Sequence, residues 1–239
     1  MTCMEVLQIA KRLREEVSGL RFADPVTHVY NPLEYAWDLH KQYLQRYARN
    51  GVQAIWVGMN PGPWGMAQTG VPFGEVGMVR DWLKLDGKVE QPKSLHPKRP
   101  IQGLDCPRSE VSGRRLWTWA SNFFDSADSF FDRFFVFNWC PLCFMEESGK
   151  NRTPDKLHIA EREPLRKVCD RALIETVQAL QPKMVVGVGK FARDQATRIL
   201  RDVDIEIGQI LHPSPASPMA NRGWAEQAER QLQELGLLS

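Results

Sequence analysis

An α/β fold built on a mainly parallel sheet is what this 239-residue sequence predicts. Two observations carry that expectation. Four short apolar runs, each ended by a proline or a polar residue, have the length and composition of buried strands. Segments with apolar residues at helical spacing lie before, between and after them, and alternating strands and helices bury a sheet on both faces. The expected architecture is a three-layer α/β/α sandwich with a central four-stranded, mainly parallel sheet, made by residues 1–239 as one domain.

The elements follow in order. Val6, Ile9, Ala10, Leu13 and Val17 predict an amphipathic helix over 4–17. A second helix is expected over 33–48, with Leu33, Ala36, Trp37, His40, Tyr43, Leu44 and Tyr47 on one face. AIWVGM (54–59) reads as the first strand and stops at Asn60-Pro61-Gly62-Pro63. Residues 84–115 read as a loop, with seven Lys/Arg against four acids between 86 and 115. FFVFNWC (134–140) is the second strand, followed by Pro141. Pro164 opens a helix over 164–180, which leads into MVVGVG (184–189), the third strand. IEIGQIL (205–211) is the fourth and ends at His212-Pro213. A last helix over 223–235 turns Trp224, Ala228, Leu232 and Leu235 inward, with Gly236 as its C-cap.

Composition narrows the function classes. A net charge of +2 announces neither a nucleic-acid binder nor its opposite. No run of about 18 apolar residues predicts a membrane helix. The acid-bearing helical start does not read as a signal peptide, and five scattered cysteines fit reduced thiols, so a cytoplasmic address is expected.

Three patterns look like chemistry and are better read otherwise. Gly187-Val-Gly189-Lys190-Phe-Ala192 imitates a dinucleotide turn but follows the third strand; close helix–strand packing, or a phosphate held at Gly189 and Lys190, competes with it. Cys140-Pro-Leu-Cys143 with Cys106 and Cys169 lacks the two tight pairs of a metal site, so no metal and no cofactor is expected. Ser214 has no Gly-x-Ser-x-Gly elbow around it.

In parallel sheets ligands bind beyond the carboxyl ends of the strands. Asn60, Asn138 and His212 all fall there, which predicts one site made from three segments. The surrounding sequences are specific. Gly58-Met-Asn-Pro-Gly-Pro-Trp-Gly-Met-Ala-Gln-Thr-Gly-Val-Pro-Phe73-Gly74 resembles the first motif of the single-strand-selective monofunctional uracil-DNA glycosylases, family 3 of the uracil-DNA glycosylase superfamily. His212-Pro-Ser-Pro-Ala-Ser-Pro-Met-Ala-Asn-Arg-Gly-Trp224 resembles the second. Phe137-Asn-Trp-Cys-Pro-Leu142, Arg108-Ser-Glu-Val-Ser-Gly113 and Ser148-Gly-Lys-Asn151 extend the likeness from about residue 25 to the C-terminus.

The resemblance implies a uracil-DNA glycosylase-like fold and hydrolytic release of uracil from DNA, leaving an abasic site. Asn60 would place the attacking water, and His212 would donate to uracil O2 as charge grows there. Asn138 would read O4 and N3–H, Phe73 would stack on the flipped base, and the backbone at Met59 would complete the pocket. Gly62 stands where a uracil-restricted relative carries tyrosine, which implies room for 5-hydroxymethyluracil; xanthine is a further expected substrate. Pro215, Ala216, Ser217, Met219 and Arg222 belong to the expected wedge, with Lys150 and Lys190 as further DNA contacts. Ala216 and Met219 replace an expected arginine and glutamine, which makes the plug less charged. Single- and double-stranded DNA are the expected partners, a monomer is the default state, and a catalytically degenerate nucleic-acid-binding module is the rival reading.

Overall fold

The computed structural model describes residues 2–238. Helix α1 (Thr2–Ser18) is followed by β1 (Val26–Tyr30), α2 (Pro32–Tyr35), α3 (Trp37–Tyr47) and β2 (Ala54–Gly58). Next come α4 (Met66–Thr69), α5 (Val76–Asp81), α6 (Val111–Phe123), α7 (Ala127–Phe131) and β3 (Phe134–Asn138). Strands β4 (Cys143–Glu146) and β5 (Asn151–Arg152) precede α8 (Ile159–Leu180), β6 (Met184–Val188), α9 (Lys190–Ile199), β7 (Glu206–Ile210) and α10 (Trp224–Glu234).

The four expected strands form one wholly parallel sheet in the order β3-β2-β6-β7, so the central sheet is as predicted. The crossovers β2→β3 and β3→β6 run in opposite directions across it. Right-handed connections therefore put α5–α7 on one face and α8 on the other. Trp56 shows the first face, stacking on Trp119 of α6 and meeting Phe130 of α7 edge-on. On the second, α9 lies against β6 and β7, α8 packs beside α9, and α1 packs against α8.

Four expectations need correction. A second, antiparallel sheet, β1-β4-β5, caps the carboxyl end of the first. Its strands are four to five residues or fewer and lack a long apolar run, so no strand signal stood out. The helix expected over 33–48 is two helices, because the chain leaves helical geometry at Ala36 (φ −109°, ψ 26°), against which the Gly70 turn packs. Helix α8 starts at Ile159, five residues before Pro164; Glu161 accepts from the His158 amide and nucleates the first turn. The loop reading of 84–115 fails at its end: Glu110 caps α6, which begins at Val111.

The glycines of the dinucleotide-like turn serve packing. A Cβ on Gly187 would stand 2.2 Å from the Arg193 amide nitrogen of α9. Gly189, at φ +89°, makes room for His212, whose Cβ lies 2.8 Å from where a side chain would start.

Candidate active site

A cavity of about 170 Å³ opens at the carboxyl end of the parallel sheet. Met59, Asn60, Gly62, Phe73, Asn138 and His212 all line it, so the structure brings together every residue assigned to the base and the bond.

Asn60 lies two residues past the end of β2. Its Nδ2 donates to the carbonyls of Leu142 at 3.2 Å and Pro61 at 3.3 Å, which fixes the amide plane. Oδ1 is buried and has no hydrogen-bond partner among the described residues. Asn138, the last residue of β3, repeats the arrangement: Nδ2 lies 3.3 Å from Met66 Sδ, and Oδ1 is buried and unpartnered among the described residues. A buried acceptor without a donor costs about 1–3 kcal/mol. Two such atoms in one cavity mark a place built for a ligand's donors.

The polarity of His212 follows from its hydrogen bond. Nδ1 lies 3.0 Å from the Ser214 amide, a donor, so Nδ1 must accept and the proton of a neutral ring sits on Nε2. Burial pushes the imidazole pKa down to about 4, which keeps the ring neutral near pH 7. It is a fixed N–H donor on the cavity wall.

Phe73 holds a left-handed backbone conformation (φ +53°). Its ring centroid lies 6.0 Å from that of His212. Gly58 lets the wall close up: a Cβ there would stand 2.3 Å from Asn138 Oδ1 and 2.7 Å from Phe73 Cε2. No atom of the described residues lies within 4 Å of a Cβ built on Gly62, so that side of the cavity is open.

This arrangement of two orphaned amides, a neutral histidine and an aromatic ring sits within a chain whose residues 45–234 match the family model of the uracil DNA glycosylase superfamily. The chain belongs to that superfamily. It is 50% identical over 234 residues to the single-strand selective monofunctional uracil DNA glycosylase of Bos taurus, covering 97% of this chain and 86% of that one. The Rattus norvegicus protein of the same name is 49% identical over 229 residues, covering 95% and 82%. The crystal structure of SMUG2 from Pedobacter heparinus superposes with a TM-score of 0.71 over 98% of this chain and 97% of that one, at 15% identity, a likeness of fold.

This superfamily member carries its second motif on a tightly self-bonded loop. Ser214 Oγ accepts from the Ala216 amide and its carbonyl from the Ser217 amide, so both oxygens serve the loop's own scaffold. Asn221 Nδ2 donates to the Pro215 carbonyl, and Arg115 of α6 donates to the carbonyls of Pro213 and Ser214 and to Asn221 Oδ1. Pro215, Ala216 and Arg222 are exposed, Ser217 is half-buried, and Met219 is a large apolar side chain left 55% exposed.

The cations divide. Lys150 is exposed on the β4–β5 turn, next to Asn151 in the cavity wall. Lys190 does not line the cavity and pairs with Asp194 at 2.6 Å, so the phosphate assigned to it has a competitor already in place.

Sequence reasoning left Glu110, Ser112, Asn151 and Thr153 without roles, yet all line the cavity. Glu110 accepts from the amides of Ser112 and Gly113, and burial raises its carboxyl pKa. An acid just ahead of an apolar periodic run is a helix-start signal that could have found it. Asn151 donates to the Pro61 carbonyl, the same oxygen that Asn60 Nδ2 reaches. Among the described residues no group of three or more His, Cys, Asp or Glu is placed to hold a metal ion. Cys140 follows β3, Cys143 begins β4 and Cys169 lies on α8; burial pushes the Cys143 thiol up to about 12.

Proposed function

We propose that this protein excises uracil from DNA as a monofunctional glycosylase of base-excision repair, and that the cavity receives the flipped base. The observation that carries this is the pair of fixed amides, each with an Oδ1 unpartnered among the described residues, lining one cavity with a neutral, Nε2-protonated histidine. Uracil N3–H supplies the donor that Asn138 Oδ1 lacks. Cytosine has an acceptor at N3 and would leave both groups unpaired, a mismatch that discriminates strongly.

The chemistry follows from these groups. The C1′–N1 bond breaks with its electron pair leaving on the base, where the charge spreads to O2. His212 Nε2–H stabilises that charge as a preorganised donor. Asn60 Oδ1 accepts from a water whose oxygen bonds to C1′; the water then releases a proton to solvent, and the departing anion takes one up. An amide is no strong base, so the sugar carries cationic character before the water closes on it.

The exposed Met219 on this loop supports a role as the wedge that fills the vacated stack, since apolar side chains serve this purpose in other kinked duplexes. We assign both single- and double-stranded DNA as substrates, Lys150 and Arg222 as phosphate contacts, and a monomer as the working form. Neighbouring cations support a DNA track on the Lys150 side: Arg99 and Arg108 each lie 5.2 Å from the centre of the Trp64 ring, and Arg99 donates to the Gly149 carbonyl, next to Lys150, at 2.8 Å. The open space at Gly62 supports 5-hydroxymethyluracil, and then xanthine, as further substrates. A cytoplasmic address, on the nucleoid in a bacterium or in the nucleus of a eukaryote, is the corresponding location.

The test is base release from a single-stranded oligonucleotide carrying one uracil, with and without alkali, in EDTA. Strand breaks should appear only after alkali. Asn60→Ala and His212→Ala should each lower kcat by about 10²-fold or more. Gly62→Tyr should spare uracil and lose 5-hydroxymethyluracil. Tight binding without release in the wild type would favour the degenerate module instead.

A further inference from the structure

The base-stacking ring does not hold itself in place. A residue with a Cβ adopts the left-handed conformation of Phe73 only where its surroundings fix it. Three contacts around the Phe73 carbonyl do so. The Glu75 amide donates to it at 2.7 Å. The indole Nε1 of Trp117 donates to it at 3.0 Å. Gly113 lies so close that a Cβ there would stand 2.0 Å from the same oxygen.

Two of the three come from α6, and that helix is rigid where they arise. Glu110 ties down its first turn through the Ser112 and Gly113 amides. Trp117 is fully buried among Trp82, Phe130 and Phe131, with ring centroids 5.6–5.8 Å away, so its N–H cannot follow Phe73 if the loop moves. The consequence reaches the cavity. Phe73 Cε2 and Asn138 Oδ1 converge on the one space above Gly58, 2.7 and 2.3 Å from where its Cβ would be. Turning the Phe73 backbone would carry the stacking surface away from the amide that reads the base edge.

We propose that Trp117 is a positioning residue for base capture: its indole N–H, with Gly113 beside it, locks Phe73 in the conformation that sets ring and amide in register. The proposal rests on the reading of Phe73 as the stacking residue. It touches no reacting atom and acts on binding rather than on the bond.

Trp117→Phe removes the N–H and keeps a buried ring. With single-stranded uracil DNA, KM should rise about 3- to 10-fold, the worth of one hydrogen bond, while kcat stays within a factor of about two. In the Phe73→Ala background the same substitution should change KM by less than about twofold, because the group it positions is gone. A merely structural role predicts equal effects in both backgrounds, which would overturn the proposal. An unchanged KM for Trp117→Phe, with Phe73→Ala impaired, would overturn it alone; an unchanged KM for Phe73→Ala would sink the stacking reading first. Should Trp117→Phe fail to fold, Gly113→Ala pushes on the same oxygen and enters the same cycle. Failure of both to fold would assign the bond to the scaffold and reject the role.

Discussion

The two sides of the cavity are built on opposite plans. On the strand-end side, Asn60 and Asn138 spend their Nδ2 groups on the protein and leave Oδ1 buried and unpartnered among the described residues. On the 212–222 side almost every polar group is consumed internally, through Ser214, Ser217, Asn221 and Arg115. What that loop shows to solvent is mostly proline, alanine and Met219, with Asn221 and Arg222 exposed at its end. Orphaned polar atoms recognise a specific pattern of donors, whereas a saturated loop with an exposed apolar side chain fills space without asking for a sequence. On the proposed function, reading and wedging are thus separated in the chain and meet at His212.

The sharpest way to test the first side is to spoil its shape without touching a functional group. Gly58→Ala places a methyl 2.3 Å from Asn138 Oδ1 and 2.7 Å from the Phe73 ring. Displacements near 1 Å cost on the order of 10²-fold where geometry controls rate, so kcat/KM on uracil in either kind of DNA should fall by about that factor. Side chains can yield where backbone cannot, so the fold should survive, as circular dichroism would check. Activity near that of the wild type would mean the wall is not preformed.

How much of this was legible beforehand differs in the same way between the two sides. Asn60, Asn138 and His212 sit at the ends of strands whose apolar runs are plain in the sequence, and the parallel-sheet rule alone gathers them. The parallel sheet itself rests on the same runs. The supports were harder to see. Helix α6 mixes Arg114, Arg115, Trp117 and Trp119 in a stretch that follows a loop rich in lysine and arginine, and the charge there hid its start. Nothing in sequence spacing says that Trp117 will meet a carbonyl 44 residues earlier, or that Arg115 will reach 98 residues ahead to Pro213. Such contacts exist only once the sheet has brought the loops together. The β1-β4-β5 sheet escaped for a related reason: its strands are short and one of them holds two residues.

The second side is tested through its clip to α6; Gln227 of α10 holds it separately, donating to the Met219 carbonyl at 2.7 Å. Arg115→Met removes three hydrogen bonds to the loop, two from Nη1 at 3.1 and 3.4 Å and one from Nη2 at 2.9 Å, and keeps much of the aliphatic stem. Net hydrogen-bond values of about 0.5–1.5 kcal/mol imply roughly a tenfold loss for a task that needs the whole loop. Excision from duplex should fall by that much, and excision from single strands, where there is no partner strand to wedge apart, should change by less than about threefold. Equal losses on both substrates would erase the division of labour drawn above.

The smallest effect concerns the residue where the two sides join. His212 lies on the loop by sequence and in the wall by burial, and its neutral form is set by both: the Ser214 amide claims Nδ1, and desolvation lowers the pKa to about 4. Between pH 6 and 8 the ring therefore does not titrate, and kcat should show no step near 6.5, the ordinary histidine value. Stability carries the same sign. The folded pKa lies below the unfolded one, so the unfolded chain binds more protons between about pH 4 and 6.5, and stability is lost as pH falls through that window. His40, whose Nδ1–H donates to the Gly70 carbonyl at 2.7 Å and whose pKa is also pushed down to about 4 by burial, adds to the same acid limb. The two contributions separate by substitution, since His40→Asn should shift the acid unfolding midpoint and leave the kcat profile of the surviving fold flat. A kcat step near pH 6.5 that disappears in His212→Asn would mean that the ring works as an imidazolium, and that the loop delivers charge to the wall instead of completing it.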